Sequence, residues 1–305
     1  MKIDKKNPTH WLLLSIFSVN TAIAILLTAF RSPKRNRIVL YGHKLNGNLK
    51  ALYEHYQNDT DHEIYFLSLD PDYVNQLSKS DVHALSAVDP LDIYLVCRSR
   101  IIITDHGPLA LILLTWLKKY IFIDVWHGIP YKGFDANDFR FLHGYDYTFV
   151  SSELLKNIYT QRFGFNDKQV VVTGYARTDH LLKQDLDRDD LKRKYGLPDK
   201  TCKIIMYAPT WTHNKPGIDS DKHKNYIGSA IDQISKYCEQ HNAVAILRTH
   251  INTDMDYCRY TNTHFLPSSL YPDTEELLYI TDVLICDWSS IAFDYLLLKR
   301  PTIFI

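Results

Sequence analysis

Short apolar runs rich in β-branched residues recur along this chain, and segments with helical spacing lie between them. The first six runs are "RIVLYG" (37–42), "EIYFLSL" (63–69), "SRIIITD" (99–105), "IFIDVW" (121–126), "YTFVS" (147–151) and "QVVVTG" (169–174). Among the intervening segments, "NGNLKALYEHY" sets Leu49, Leu52, Tyr53 and Tyr56 on one helical stripe. "PLALILLTWLKKY" reads as a buried helix, and "SELLKNIYTQRFG" as a helix capped by Ser151 or Ser152. Strands alternating with helices predict an α/β protein with mostly parallel sheets covered on both faces. A charged run, "KQDLDRDDLKRKYGLPDK" (183–200), reads as a solvated helix and linker before a second round. That round comprises "CKIIMYAPTW" (202–211), "NAVAILRTH" (242–250) and "DVLICDWSSIAFDYLLLKRPTIFI" (282–305). Two Rossmann-like domains facing a cleft are therefore expected, 37–182 and 201–305 with 183–200 as linker.

A chain of 305 residues fills two such domains without needing disulfides. Lysine plus arginine balances aspartate plus glutamate at 35 each, so no excess basic charge draws it to nucleic acid. Cys97, Cys202, Cys238, Cys258 and Cys286 are scattered without metal-ligand spacing, which suits reduced thiols in the cytoplasm.

Residues 1–36 stand apart. Trp11 to Phe30 is twenty residues without a charge, enough to span a bilayer as a helix. Ser15, Ser18, Asn20 and Thr21 dilute it, so a helix lying in the interface is the other reading. Thr28-Ala29-Phe30-Arg31 is a poor cleavage site for a signal peptide. Arg31, Lys34, Arg35 and Arg37 outnumber Lys2, Lys5 and Lys6, which favours a body on the cytoplasmic face.

In parallel sheets, ligands bind beyond the carboxyl ends of strands, and polar residues follow several of the apolar runs. His127 ends "IFIDVW", with Gly128 permitting close approach and Lys132 offering a point charge suited to phosphate. "GYARTD" supplies Arg177, "YAPTW" supplies Thr210, and "LRTH" ends in His250. In "CDWSSIAFDYLL", Asp287 closes a strand, and Ser289 and Ser290 precede a helical run, as an anion site or an ordinary helix cap. There is no GxGxxG after the first strand, no GxxxxGK[ST], no GxSxG and no HExxH, and no acidic cluster calls for a metal. Residue patterns alone reach a two-domain α/β protein with a polar, anion-favouring cleft.

The ordered motifs resemble a known family, the CDP-glycerol glycerophosphotransferases of teichoic acid and related capsule polymer synthesis. "WHGIPYKGFD" is similar to that family's Trp-His-Gly-Thr-Pro-x-Lys segment, with Ile129 in place of threonine. "GYARTDHLL", "YAPTWT" and "LRTH" resemble three further motifs, with Ala176, Thr178 and Ile251 as departures. "TDVLICDWSSIAFDYLLLKRPTIFI" matches the most specific one. The resemblance runs from about residue 37 to the end.

It implies a GT-B fold with the donor nucleotide in the second domain, and transfer of a polyol phosphate from CDP-glycerol, or a related CDP-polyol, with release of CMP. No further cofactor or metal is implied. The implied partners are the nucleotide-activated donor, a lipid-linked saccharide or polymeric acceptor, and the membrane. Carried over, His127 is the general base and His250 contacts the donor pyrophosphate. Ser289 and Ser290 hold phosphate oxygens, Thr210 lies near the nucleotide, and Asp294 orients the loop. Gly128, Lys132, Arg177 and Asp287 complete the expected binding set. Relatives continue past the point matching Ile305, so a truncated second domain is also expected. The alternatives are a GT-B glycosyltransferase using a nucleotide sugar and an inactive truncated family member.

Overall fold

The computed structural model describes residues 3–130, 133–183, 186–198, 202–209, 220–249, 260, 262–287 and 289–305. The chain divides into two compact units, Met1–His127 with Gly133–Arg177, and Gly128–Lys132 with Thr178–Ile305.

The first unit runs α1 (Pro8–Leu27), β1 (Lys34–Tyr41), α2 (Gly47–Tyr56), β2 (Glu63–Ser68), α3 (Pro71–Ser78), β3 (Ala84–Ser86) and α4 (Pro90–Cys97). It continues with β4 (Ser99–Thr104), α5 (Ile112–Thr115), β5 (Ile121–Asp124), β6 (Tyr147–Val150), α6 (Glu153–Gln161) and β7 (Val170–Val172). Its seven strands form one sheet in the order β3-β2-β1-β4-β5-β6-β7, and every pairing is parallel. The chain winds outward from β1 to β3, then returns to β4 beside β1, so the switch point lies between β1 and β4. That is where α/β sheets of this type open a crevice at their carboxyl ends. Ile38, Val39, Leu40 and Tyr41 are buried in succession, as a central strand covered on both sides requires. Ser152 caps α6, accepting from the Leu155 amide at 3.3 Å.

The second unit runs α7 (Asp179–Lys183), α8 (Arg188–Lys194), β8 (Lys203–Ala208), α9 (Ser220–Gln240), β9 (Ala243–Leu247) and β10 (Thr263–Phe265). It ends with α10 (Thr274–Ile280), β11 (Val283–Cys286), α11 (Ile291–Leu296) and β12 (Thr302–Phe304). Its parallel sheet has the order β10-β9-β8-β11-β12, which puts the switch point between β8 and β11. Within the charged run 183–200, α8 turns Leu191 inward, and Tyr195 and Leu197 join it in this unit's core.

One segment differs from its sequence reading. "PLALILLTWLKKY" is not a continuous buried helix: it forms a 3-10 turn at Leu109–Leu111 and the single turn α5, and Trp116 is 72% exposed. Gly107 and Leu109 adopt left-handed backbone (φ +94° and +43°), which interrupts any helix entering from Pro108.

The apolar N-terminal segment is a helix of 20 residues with mean hydropathy 1.8, long and apolar enough to cross a membrane. Asn7 caps it, and Phe17, Thr21 and Ala24 form a narrow buried stripe packed against α4 and the segment around Leu109–Leu111. The Asn20 side chain donates to the Val88 carbonyl at 3.0 Å. Leu12, Val19, Ile23 and Leu26, on the opposite side, are exposed.

Candidate active site

Three imidazoles gather at the carboxyl ends of neighbouring strands in the first unit. His43 follows β1, His106 follows β4 and His127 follows β5, straddling the switch point. His106 and His127 stack with centroids 4.1 Å apart and planes 1° from parallel. The His43 ring lies 4.3 Å from His106, and Trp126 lies 4.5 Å from His127.

Asp105 organises this column. It is 4% exposed, and its Oδ1 sits 2.6 Å from His106 Nδ1. Its backbone carbonyl lies 2.9 Å from His127 Nδ1. A carbonyl only accepts, so His127 Nδ1 carries the proton and Nε2 presents the lone pair. Gly42 makes room for the carboxylate, since a Cβ there would lie 2.6 Å from Asp105 Oδ1. Crowding by protein and then the neighbouring His106 push the His127 imidazole down to about 4, although the residue as a whole is exposed to solvent. Neutral His127 can therefore take a proton near pH 7.

The turn carrying His127 is held by Asn48. Trp126 has left-handed backbone (φ +35°), a conformation that costs a bulky residue about 1–3 kcal/mol. Asn48 Nδ2 donates to the carbonyls of Val125 (2.7 Å) and Trp126 (2.8 Å), and its Oδ1 accepts from the Arg177 amide at 3.1 Å. Arg177 is buried, with its guanidinium 4.5 Å from the Tyr175 ring centroid, and its charge also disfavours protonation of His127. Beneath the turn, Asp124 is fully buried, and burial pushes its carboxyl up to about 8.

In the second unit, Asp287, Ser289 and Ser290 follow β11 and are half-buried, and Asp294 lies in α11. Ser290 has helical dihedrals (φ −64°, ψ −15°) and makes no side-chain cap bond. Gly128 packs beside it: a Cβ at Gly128 would fall 2.9 Å from Ser290 Oγ. The arginine of "LRTH", Arg248, is 6% exposed and donates to the carbonyls of Leu266 and Tyr271 and to Thr274 Oγ1, so it braces the second unit.

Of the residues singled out in the sequence, His127 and Arg177 thus come together in the first unit, and Gly128 and Ser290 in the second. Lys132, Thr210 and His250 lie outside the described residues. Among the described residues no group of three or more His, Cys, Asp or Glu side chains is arranged to hold a metal. Sequence reasoning missed His43, Asn48, Asp105 and His106. Asp105-His106-Gly107 follows an apolar strand just as Trp126-His127-Gly128 does, and that shared pattern was the available signal.

With this geometry in view, similarity to known proteins is informative. The family profile described as CDP-Glycerol:Poly(glycerophosphate) glycerophosphotransferase matches residues 24–305. The teichoic acid ribitol-phosphate polymerase TarK of Staphylococcus aureus is 28% identical over 232 residues, covering 69% of this chain and 44% of that protein. A teichoic acid poly(glycerol phosphate) polymerase of Bacillus spizizenii is 26% identical over 323 residues, covering 96% of this chain and 78% of that protein. Against the two Staphylococcus aureus ribitol-phosphate polymerases, the matched region is under half of the relative's length, 44% and 40%. The solved wall teichoic acid polymerase TagF superposes with a TM-score of 0.71 at 22% identity, covering 96% of this chain and 75% of that one, a likeness of fold.

Proposed function

Because the chain belongs to the CDP-glycerol:poly(glycerophosphate) glycerophosphotransferase family, we propose that it transfers a polyol phosphate from CDP-glycerol or CDP-ribitol to an acceptor hydroxyl and releases CMP. The acceptor is a lipid-linked saccharide or a growing polymer, and the product is a teichoic acid or related capsule polymer. The outer face of α1 rests in the interface at the cytoplasmic side of the membrane.

The observation that carries the reading is His127, at a strand end beside the switch point, with Nδ1 committed to the Asp105 carbonyl. Its Nε2 takes the proton of the acceptor hydroxyl as that oxygen bonds to the polyol-bearing phosphorus. The bond from that phosphorus to the bridging oxygen breaks, and CMP leaves with the oxygen. Phosphoryl transfer of this kind depends on positioning and charge neutralisation more than on covalent help from protein. Ser289 and Ser290 would hold phosphate oxygens, and Gly128 keeps the backbone close to Ser290. His250, Lys132 and Thr210 are assigned to the pyrophosphate and nucleotide on their motif positions alone. Asp287, Asp294 and Arg177 are assigned to shaping the site around them.

The test is CMP release from CDP-glycerol and CDP-ribitol, with membranes as the acceptor source. His127→Gln is expected to lower the rate by about 10²–10⁴-fold, as loss of a general base does, with an unchanged thermal midpoint. Equal CMP release by wild type and variant would remove His127 from the chemistry. No release from either donor by the folded wild type would remove the transfer itself.

A further inference from the structure

Asp105 and His106 lie outside every motif that pointed to the transfer reaction, yet both are built onto His127. One residue, Asp105, binds the two rings through different groups. Its carboxylate accepts a hydrogen bond from His106 Nδ1 at 2.6 Å, and its carbonyl accepts one from His127 Nδ1 at 2.9 Å. The two planes are 1° from parallel at 4.1 Å, so the face of each ring is covered by the other. Gly42 at the end of β1 provides the gap into which the carboxylate fits.

Resting on the transfer reading above, we propose that Asp105 and His106 are a positioning pair that fixes the plane and the tautomer of His127. The hydrogen bond from Nδ1 to the Asp105 carbonyl, with His106 stacked on the ring and Trp126 nearby, turns Nε2 away from that carbonyl. An electrostatic consequence follows. A positive charge on the ring stacked against His127 opposes protonation of His127. The groups acting on His127 are then Asp105, which favours its protonation, and His106 and Arg177, which oppose it. His43 flanks His106, and buried Asp124, the last residue of β5, lies three residues before His127.

The experiment uses the full chain labelled with 15N-histidine, titrated by NMR, with the His127 signal assigned by its loss in His127→Gln. His106→Phe keeps a flat ring against His127 but cannot carry charge or donate to Asp105, and His106→Gln keeps a donor without the ring. Both variants are expected to move the His127 titration upward toward the ordinary imidazole value. The acid limb of CMP release should move up with it, kcat should fall about ten- to a hundredfold, and KM for the donor should hold. An unchanged His127 titration in both folded variants overturns the proposal. So does a wild-type kcat and pH profile in His106→Phe, which would make His106 packing only. If wild type releases no CMP at all, the transfer reading fails while the NMR titration still decides whether Asp105 and His106 govern His127.

Discussion

Asn48 ties Arg177 to the strand exit that carries His127: it donates to the Val125 and Trp126 carbonyls and accepts from the Arg177 amide at 3.1 Å. A side chain 4% exposed therefore satisfies three backbone groups around a residue in left-handed conformation. Asn48→Ala would strip those groups of their partners in a buried place, at a cost of about 1–3 kcal/mol. The expected result is a lower denaturant midpoint with unchanged slope, and a fall in CMP release larger than the stability loss explains. A midpoint equal to wild type would show that the turn does not depend on Asn48.

Asp124 predicts a pH dependence of stability. Burial raises its folded value to about 8, against about 3.9 in an unfolded chain. Between those values folding takes up a proton, so this group's contribution is fully present below about pH 4 and is lost as pH rises toward 8. Its Oδ2 has no hydrogen-bond partner among the described residues, and Thr148, its register partner on β6, has a hydroxyl in the same condition. Asp124→Asn should flatten the decline in unfolding free energy, a slope of up to about 1.4 kcal/mol per pH unit. Parallel wild-type and variant slopes from chemical denaturation would contradict this.

Gly128 and Ser290 should behave as a coupled pair. A methyl at Gly128 meets Ser290 Oγ at 2.9 Å but Ser290 Cβ at 3.4 Å. Gly128→Ala alone is therefore expected to lower the melting temperature, and adding Ser290→Ala to restore most of it. Activity should stay low in the double variant if the serine hydroxyl holds phosphate. Strict additivity of the two melting shifts would deny the contact.

The exposed side of α1 gives a prediction about membranes. Leu12 (60% exposed), Ile23 (49%) and Leu26 (76%) lie opposite the buried Phe17-Thr21-Ala24 stripe. Changing all three to Gln should abolish flotation of the purified protein with vesicles while leaving its melting temperature within a degree or so, since none packs on the domain. Phe17→Ala should do the reverse, losing about 3–5 kcal/mol of stability as a buried aromatic does. Full flotation of the triple variant would assign membrane contact to another surface.

Much of this protein was readable from the order of its residues. Parallel sheets need long apolar strands buried on both faces, and "RIVLY" and "AVAIL" could hardly have been anything else. His127 was legible because a histidine and a glycine beside a strand end carry local information. The helical reading of 108–120 failed because left-handed backbone at Gly107 and Leu109 interrupts the apolar pattern, which periodicity cannot register.

What the tertiary structure alone decided is which strand ends are neighbours. Residues 43, 106 and 127 are far apart in the chain, and only the order β1-β4-β5 brings their imidazoles into one column. Asn48 and Asp105 gained their roles the same way, through hydrogen bonds to backbone groups that sequence does not mark. Local spacing encodes the elements, because propensity and burial act over a few residues. Hydrogen bonds and ring contacts between distant strand ends exist only once the sheet has set its order, so the surroundings of His127 belong to the fold.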